Sequence, residues 1–465
     1  MSRFLITKET LAVLLSNLII IPLAFLFIDS FNMVTILAMA ELIICATSII
    51  CSRKNILSVG LIFLFLTFLF NFGQSLIISF FDIDKYSYKN VISQVGYENY
   101  IQAEIFAILC IAALTFGYLG NVTRSENYNN TMIIGEKGEF YFNEKQRVNK
   151  LMLVLVAVTI VPMLYIDISK IFAYLVSGYD STYSVYMQGI GKYINLISQF
   201  CKPAVCVLIY TNSENKRAAK NITIAFLIYC GLMMVSGDRG SNIIYMLAVL
   251  FVYYRFVAKI KIKTIIIGIV GGYLLLMLIT MIGLTRSGSF SIDTIISAYQ
   301  WRKGDGVIYS TLREFGGSII SLCHSMNYFP TVHPFNCGLT YVVSWVAVLP
   351  KYPEFFNVFF GSSFGFTQAF PENASSMSIL GGNYLGELYF NFGWFGFIGA
   401  FYIGKFISKM DTSLFQDKSV IKTAILIVLF PSLLLWVRDF YMTLLFKTVW
   451  IALYVKYFSV QKKER

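Results

Sequence analysis

Apolar residues fill this chain in continuous blocks of roughly twenty, parted by short polar connections. A helix needs about 20 mostly apolar residues to cross a bilayer, because hydrocarbon offers no partner to an open peptide group. Blocks of that kind lie at 11–28, 31–51, 56–81, 101–119, 150–168, 193–210, 221–236, 241–256, 264–284, 388–406, 420–437 and 440–458. The pattern therefore predicts an all-α polytopic membrane protein with about twelve transmembrane helices. The blocks do not alternate, and they exceed the ~10 residues of a barrel strand. No small-residue cleavage site follows the first block, and a second begins almost at once, so the first reads as a span and not as a signal peptide.

The intervals between blocks set the organisation. Residues 1–284 carry nine expected helices with short loops and one polar loop at 121–149, read as a solvated cytoplasmic linker. Residues 285–387 form one large loop with no span-length apolar run, and 388–465 hold three more helices and a tail. Within the large loop, 338–349 is apolar but short and ends at Pro350, which suits a re-entrant or interfacial helix. The Phe-, Gly- and Ser-rich stretch 355–370 is expected at the membrane interface.

Composition agrees with the pattern. Of 465 residues, 57% are hydrophobic, 17% aromatic and only 13% charged, against about 25% charged in a soluble domain. The net charge of +12 would suit a nucleic-acid binder, but a chain this apolar is no soluble form of one, and no nucleic acid is expected. The charge instead gives orientation. With the N-terminus in the cytoplasm, 24 of the 37 Lys and Arg residues fall on inner segments and 11 on outer ones, as the positive-inside rule requires. Both termini are then cytoplasmic and the large loop faces out.

Most of the eight cysteines lie in apolar blocks and read as small packing residues. Only Cys323 and Cys337 share the outer loop, which makes them the candidate disulfide pair. His324 and His333 occupy the same loop without a clustered carboxylate, a weak metal signal.

The chemistry gathers where segments leave the membrane on the outer side. Ser-Gly-Asp-Arg-Gly at 236–240 supplies Asp238 and Arg239, and Thr-Arg-Ser-Gly-Ser at 285–289 supplies Arg286. Arg302, Lys303 and Arg313 follow in the large loop, and Arg438 precedes Asp439 in the last outer turn. A guanidinium forks onto phosphate oxygens, and flanking glycines let backbone N–H groups approach, so these arginines are candidate contacts for a lipid-linked diphosphate. The competing reading, for each alone, is snorkelling to headgroups. Asp238 is a candidate partner of Arg239. Glu387 stands where the large loop re-enters the membrane, a depth at which a carboxylate's pKa rises towards that of a general base. His324 is its rival as base, being intrinsically better placed, and an ion pair with an outer arginine is the plainer role for Glu387. Glu41, Lys202 and Lys447 lie deeper in the blocks and are candidates for a buried pair or a cavity lining.

These segments resemble a family, the O-antigen or oligosaccharide repeat-unit polymerases of the Wzy type. The likeness rests on Gly-Asp-Arg-Gly at 237–240, Thr-Arg-Ser at 285–287 and Arg313. It rests also on Gly-Leu-Thr-Tyr through Leu-Pro-Lys at 338–351 and, most tellingly, Gly-Glu-Leu-Tyr-Phe-Asn-Phe-Gly at 386–393. The resemblance implies a metal-independent, cofactor-free membrane glycosyltransferase with a helical, GT-C-like fold in a bacterial cytoplasmic (inner) membrane. It would move a growing glycan from undecaprenyl diphosphate to the next lipid-linked repeat unit. The resemblance also implies a chain-length regulator protein as partner. Arg239, Arg286 and Arg313 would contact diphosphate or glycan, with Glu387 as base or sugar-binding carboxylate and His324 in reserve. Tyr299, Trp301, Tyr341 and Tyr384 are candidate sugar-stacking or interface aromatics. An O-antigen ligase uses the same donor with a different acceptor. A lipid-linked oligosaccharide flippase is the rival from another class, and it predicts internal repeats and mid-membrane charges where this chain gathers charge at one face.

Overall fold

A computed structural model of the chain describes residues 7–53, 56–81, 91–121, 139–177, 181–184, 190–234, 239–261, 307–346, 382–416 and 419–460, with 266, 268, 271–273 and 348–349. Every regular element among them is helical. Among the described residues six helical segments are long and apolar enough to cross a membrane, one of them the interrupted Ile190–Thr211, and shorter apolar helices lie at Gly240–Phe256 and Val420–Trp436. The chain is a multi-pass membrane protein. It divides into two compact units that interleave in sequence: one comprises Met1–Met132, Leu312–Gln416 and Trp436–Phe446, and the other the remainder.

The first unit is built on α1 (Lys8–Leu26), α2 (Phe31–Arg53), α3 (Val59–Phe80), the short α4 (Val91–Val95) and α5 (Tyr97–Leu119). Its centre is α5, packed against α2, α3 and a helix from far along the chain, Gly396–Gln416. Small residues permit that last approach. A Cβ on Gly117 would strike the carbonyl of Phe401, and one on Gly404 the carbonyl of Leu114. In a membrane, where water drives no helix pairing, such backbone contact is a main source of packing energy. At one end of the unit Asp411 accepts from the N–H groups of Val59 (2.8 Å) and Gly60 (3.2 Å), serving the otherwise open first turn of α3. Arg53, buried, donates to Tyr118, Thr412 and Ser408, and Tyr118 donates to Asp411 at 2.6 Å. Glu41 accepts from Asn17 (3.0 Å) and Cys45 (2.8 Å) and makes no ion pair among the described residues.

The second unit holds α6 (Glu139–Ser177), α7 (Ser181–Ser184), α8 (Ile190–Ser198), α9 (Cys201–Thr211), α10 (Lys216–Met233) and α11 (Arg239–Phe256). Two expectations change here. The linker expected over 121–149 is helical from Glu139, where Lys145 bonds Glu214 (2.9 Å) and Ser213 (2.7 Å), and its residues 122–138 lie outside the described residues. At 39 residues α6 runs about 58 Å, well beyond a hydrocarbon core of about 30 Å. The block at 193–210 is broken into α8 and α9 ahead of Pro203, which lacks the N–H that would bond the Gln199 carbonyl.

The rest of the chain forms α12 (Val307–Gly316), α13 (Ile319–Tyr328), α14 (Leu339–Val346), α15 (Tyr384–Phe392), α16 (Gly396–Gln416), α17 (Val420–Trp436) and α18 (Met442–Val460). A helix does stand within the expected 338–349, whereas 355–370 and most of 264–284 lie outside the described residues. The block at 388–406 is not one helix. Gly393, at φ +59, turns the chain between α15 and α16, and a Cβ there would press on the Phe335 ring. Cys323 is buried, Cys337 is exposed, and both thiols are free, so the candidate disulfide is not formed.

Candidate functional site

Glu387 sits in α15, a nine-residue helix too short to span, and only 1% of it is exposed. Its neighbours are donors. Oε2 accepts from the backbone N–H of Tyr441 at 2.8 Å and, more distantly, from the Trp436 indole at 3.5 Å. Oε1 accepts from the Thr340 hydroxyl at 3.1 Å. Thr340 is held in turn by the Asn391 amide (2.8 Å), which also donates to the Glu387 carbonyl (2.8 Å) and accepts from Gly338 N–H (3.0 Å). Backbone bonds from Asn336 to Phe390 and from Cys337 to Asn391 clamp the entry of α14 onto the end of α15. Three separated segments thus converge on one carboxylate. Burial pushes its pKa up from the ordinary 4.5 to about 7; the Tyr441, Trp436 and Thr340 donors oppose that rise, and nearby Asp439 adds to it.

Beside Glu387 lies a cavity of about 340 Å³ whose wall is mostly aromatic: Tyr341, Trp345, Phe392, Trp436 and Tyr441, with Leu388. The Tyr341 ring stacks on Phe392 and meets Tyr441 edge-on, and its buried hydroxyl has no partner among the described residues. Tyr384, a candidate for sugar stacking, is instead fully buried. It bonds Thr67 at 3.1 Å and packs on Phe63 and Trp436, so it faces neither a sugar nor the interface.

One turn of α3 carries this architecture. Asn71 accepts from the Asn383 amide at 2.8 Å, and Asn383 also caps α15 through Leu385 N–H. Gln74 donates to the Arg313 carbonyl at 2.8 Å. Arg438 stands 5.8 Å over the Phe70 ring. Gly73 and Gly316 meet backbone to backbone, leaving no room for a Cβ on either. Phe70–Gln74 therefore gathers the segments bearing Arg313, Glu387 and Arg438 within the first unit. His324 is half-buried on α13, the helix that packs on α15 through Gly386; the nearest atoms to that glycine belong to Ser321, Leu322 and Ser325, not to His324. Burial lowers the His324 pKa below its ordinary 6.5.

Arg239 opens α11 in the second unit. Asp238, Arg286, Arg302, Tyr299 and Trp301 lie outside the described residues. Sequence reasoning missed Thr340, Asn391, Asn383, Asn71 and Gln74. One signal was present: Thr67, Asn71, Gln74 and Ser75 fall on a single helical face of an otherwise apolar block.

A family model for the O-antigen polysaccharide polymerase Wzy matches residues 10–461. No curated protein and no solved structure matches the chain. The match runs over both units and through the Glu387 centre, so the chain belongs to the Wzy O-antigen polymerase family, membrane glycosyltransferases that polymerise lipid-linked repeat units.

Proposed function

We propose that Glu387 is the general base of this polymerisation and that the aromatic cavity beside it receives the acceptor end of a lipid-linked repeat unit. The acceptor hydroxyl gives its proton to a Glu387 carboxylate oxygen, and the hydroxyl oxygen bonds to the anomeric carbon of the growing glycan. The bond from that carbon to its diphosphate oxygen breaks, and undecaprenyl diphosphate leaves with the electron pair. What carries this reading is a nearly buried carboxylate whose three partners are all donors, set beside a cavity with an aromatic wall. Donors hold the ionised form in place, and burial raises its proton affinity towards neutrality, which together suit a base.

Arg313, on α12, and Arg438, in the turn before α18, belong to segments that meet the same turn of α3 as Asn383 of α15, and they serve the diphosphate charge. Arg239, Arg286 and Arg302 are proposed for the same task on the sequence argument alone, with Asp238 orienting Arg239. Arginines stabilise a diphosphate leaving group as a metal would, so the reaction needs none. The reaction takes place on the outer face of the bacterial cytoplasmic membrane, with both termini inside, in about twelve spans of GT-C-like arrangement and with a chain-length regulator as partner.

The test is the gel profile of surface polysaccharide in a deletion strain complemented with variants. The deletion leaves surface glycan capped by a single repeat. Glu387→Gln lowers chain extension by about 10²–10⁴-fold with normal accumulation in the membrane, and Arg239→Ala and Arg286→Ala abolish it. Normal ladders from Glu387→Gln would remove the base assignment, and complete loss of ligated repeats in the deletion would point to a flippase or ligase.

A further inference from the structure

Asn391 follows Glu387 by four residues on α15, so both side chains stand on one face, and each is 1% exposed. The Asn391 amide fits in one orientation. The Gly338 backbone N–H, a donor only, meets Oδ1 at 3.0 Å, and the Glu387 backbone carbonyl, an acceptor only, meets Nδ2 at 2.8 Å. Left-handed backbone at Cys337 (φ 48) and Gly338 (φ +87) accompanies this clamp, in which Cys337 N–H donates to the Asn391 carbonyl at 3.0 Å.

That orientation decides the polarity of the next bond. Nδ2 directs a second hydrogen to Thr340 Oγ1 at 2.8 Å. A threonine hydroxyl has one proton. With Oγ1 accepting from Asn391, that proton is left for Glu387 Oε1, 3.1 Å away. Hydrogen-bond direction therefore runs one way, from backbone through Asn391 and Thr340 to the carboxylate. The array favours ionised Glu387, because a proton on Oε1 would set hydrogen against hydrogen. The other two donors, the Tyr441 backbone N–H and the Trp436 indole N–H, can only donate. Thr340 alone of the three has a direction that another side chain must set. It also stands outside the cavity wall, to which α14 contributes Tyr341, Val342 and Trp345.

We propose that Asn391 and Thr340 are positioning residues for the polymerisation: Asn391 sets the direction of the Thr340 hydroxyl, and Thr340 fixes the Glu387 carboxylate in its proton-accepting form. The proposal rests on Glu387 as the base. Tyr341 of α14, with Asp439 and Tyr441 of the segment before α18, are the titratable groups that act on or with Glu387. α13 brings Cys323 and His324 against α15, and the first charged residue along α16 is Lys405. All of these stay constant among the variants below, so a shift between variants reports the hydroxyl.

The full chain in detergent is titrated by infrared difference spectroscopy, in which the protonated carboxyl band that vanishes in Glu387→Gln reports Glu387 itself. The same preparations are assayed across pH for the rate on lipid-linked repeat units. Removing a donor to the ionised form raises proton affinity, so Thr340→Val moves the Glu387 midpoint up by about one pH unit. The rate midpoint moves with it, KM holds, and Thr340→Ser keeps both midpoints at the wild-type position. Asn391→Ala shifts the midpoints in the same direction, and the double variant shifts them no further than Thr340→Val alone, because Asn391 acts through Thr340. Thr340→Ala beside Thr340→Ser carries the same comparison if Thr340→Val does not accumulate. A wild-type infrared midpoint in the variant without the hydroxyl overturns the proposal, and additive shifts in the double variant remove Asn391 from it. A shifted infrared midpoint with an unmoved rate profile removes Glu387 as the base and leaves the hydrogen-bond chain in place, which separates the two readings.

Discussion

Burial raises the Glu387 pKa to about 7 and lowers that of His324 below 6.5, so the two rivals for the base give opposite pH signatures. A base must be unprotonated to act. With Glu387 as base, the in vitro rate on lipid-linked repeat units rises through about pH 7 and levels above it; a rise centred below 6.5 would hand the role to His324. Stability runs the other way. Between 4.5 and about 7 the folded protein holds a proton that the unfolded chain has released, so stability falls as pH rises through that window, and Glu387→Gln flattens the fall in a melting series. Tyr341 separates packing from function in a similar manner. Its buried hydroxyl has no protein partner among the described residues, so Tyr341→Phe leaves the melting temperature level or raises it. If that hydroxyl meets the acceptor sugar, the same variant raises KM about tenfold; an unchanged KM would leave Tyr341 as wall only.

Helices in this protein are positioned by where backbones are allowed to touch. Gly404 packs on the carbonyl of Leu114, with Gly117 on Phe401 beside it, so Gly404→Val forces α5 and α16 apart. A loss of about 1–3 kcal/mol should appear as reduced accumulation and a lower melting temperature in detergent. Gly231 in α10 has open space around a built Cβ, and Gly231→Ala there is neutral or stabilising by up to about 1 kcal/mol. Equal losses from both would sink the backbone-contact account. The same physics explains what could be read beforehand. Long apolar blocks such as 31–51, 56–81 and 101–119 announce α2, α3 and α5, since their length is set by the bilayer and not by any partner. The break at Gly393 was hidden, because a glycine in an apolar run does not announce its φ of +59 or the Phe335 ring that leaves no room for a Cβ there. Glu387 was legible as an isolated carboxylate at a membrane boundary, but its shell was not. Thr340 and Tyr441 reach it from 47 and 54 residues away, and no local pattern encodes such contacts.

The whole molecule must be oriented before any of this chemistry has a side of the membrane to act on. A net charge of +12 on so apolar a chain is an asymmetry between faces, with most Lys and Arg on segments expected inside. Lys145 belongs to that inner set, while Arg313, Glu387 and Arg438 belong to the outer. Glu387 cannot be moved independently of the rest: α3 alone ties Arg313, Asn383 and Arg438 to one turn, so the face of that turn decides the face of the reaction. A fluorescent-protein fusion at Lys145 should glow, which requires the cytoplasm, and a periplasm-dependent phosphatase inserted after Lys351 should be active. The reversed pair of signals would place the carboxylate centre on the inner surface. It would then meet lipid-linked repeats before they are flipped, and the arginines at 239, 286 and 438 would revert to plain positive-inside residues with no diphosphate to explain them.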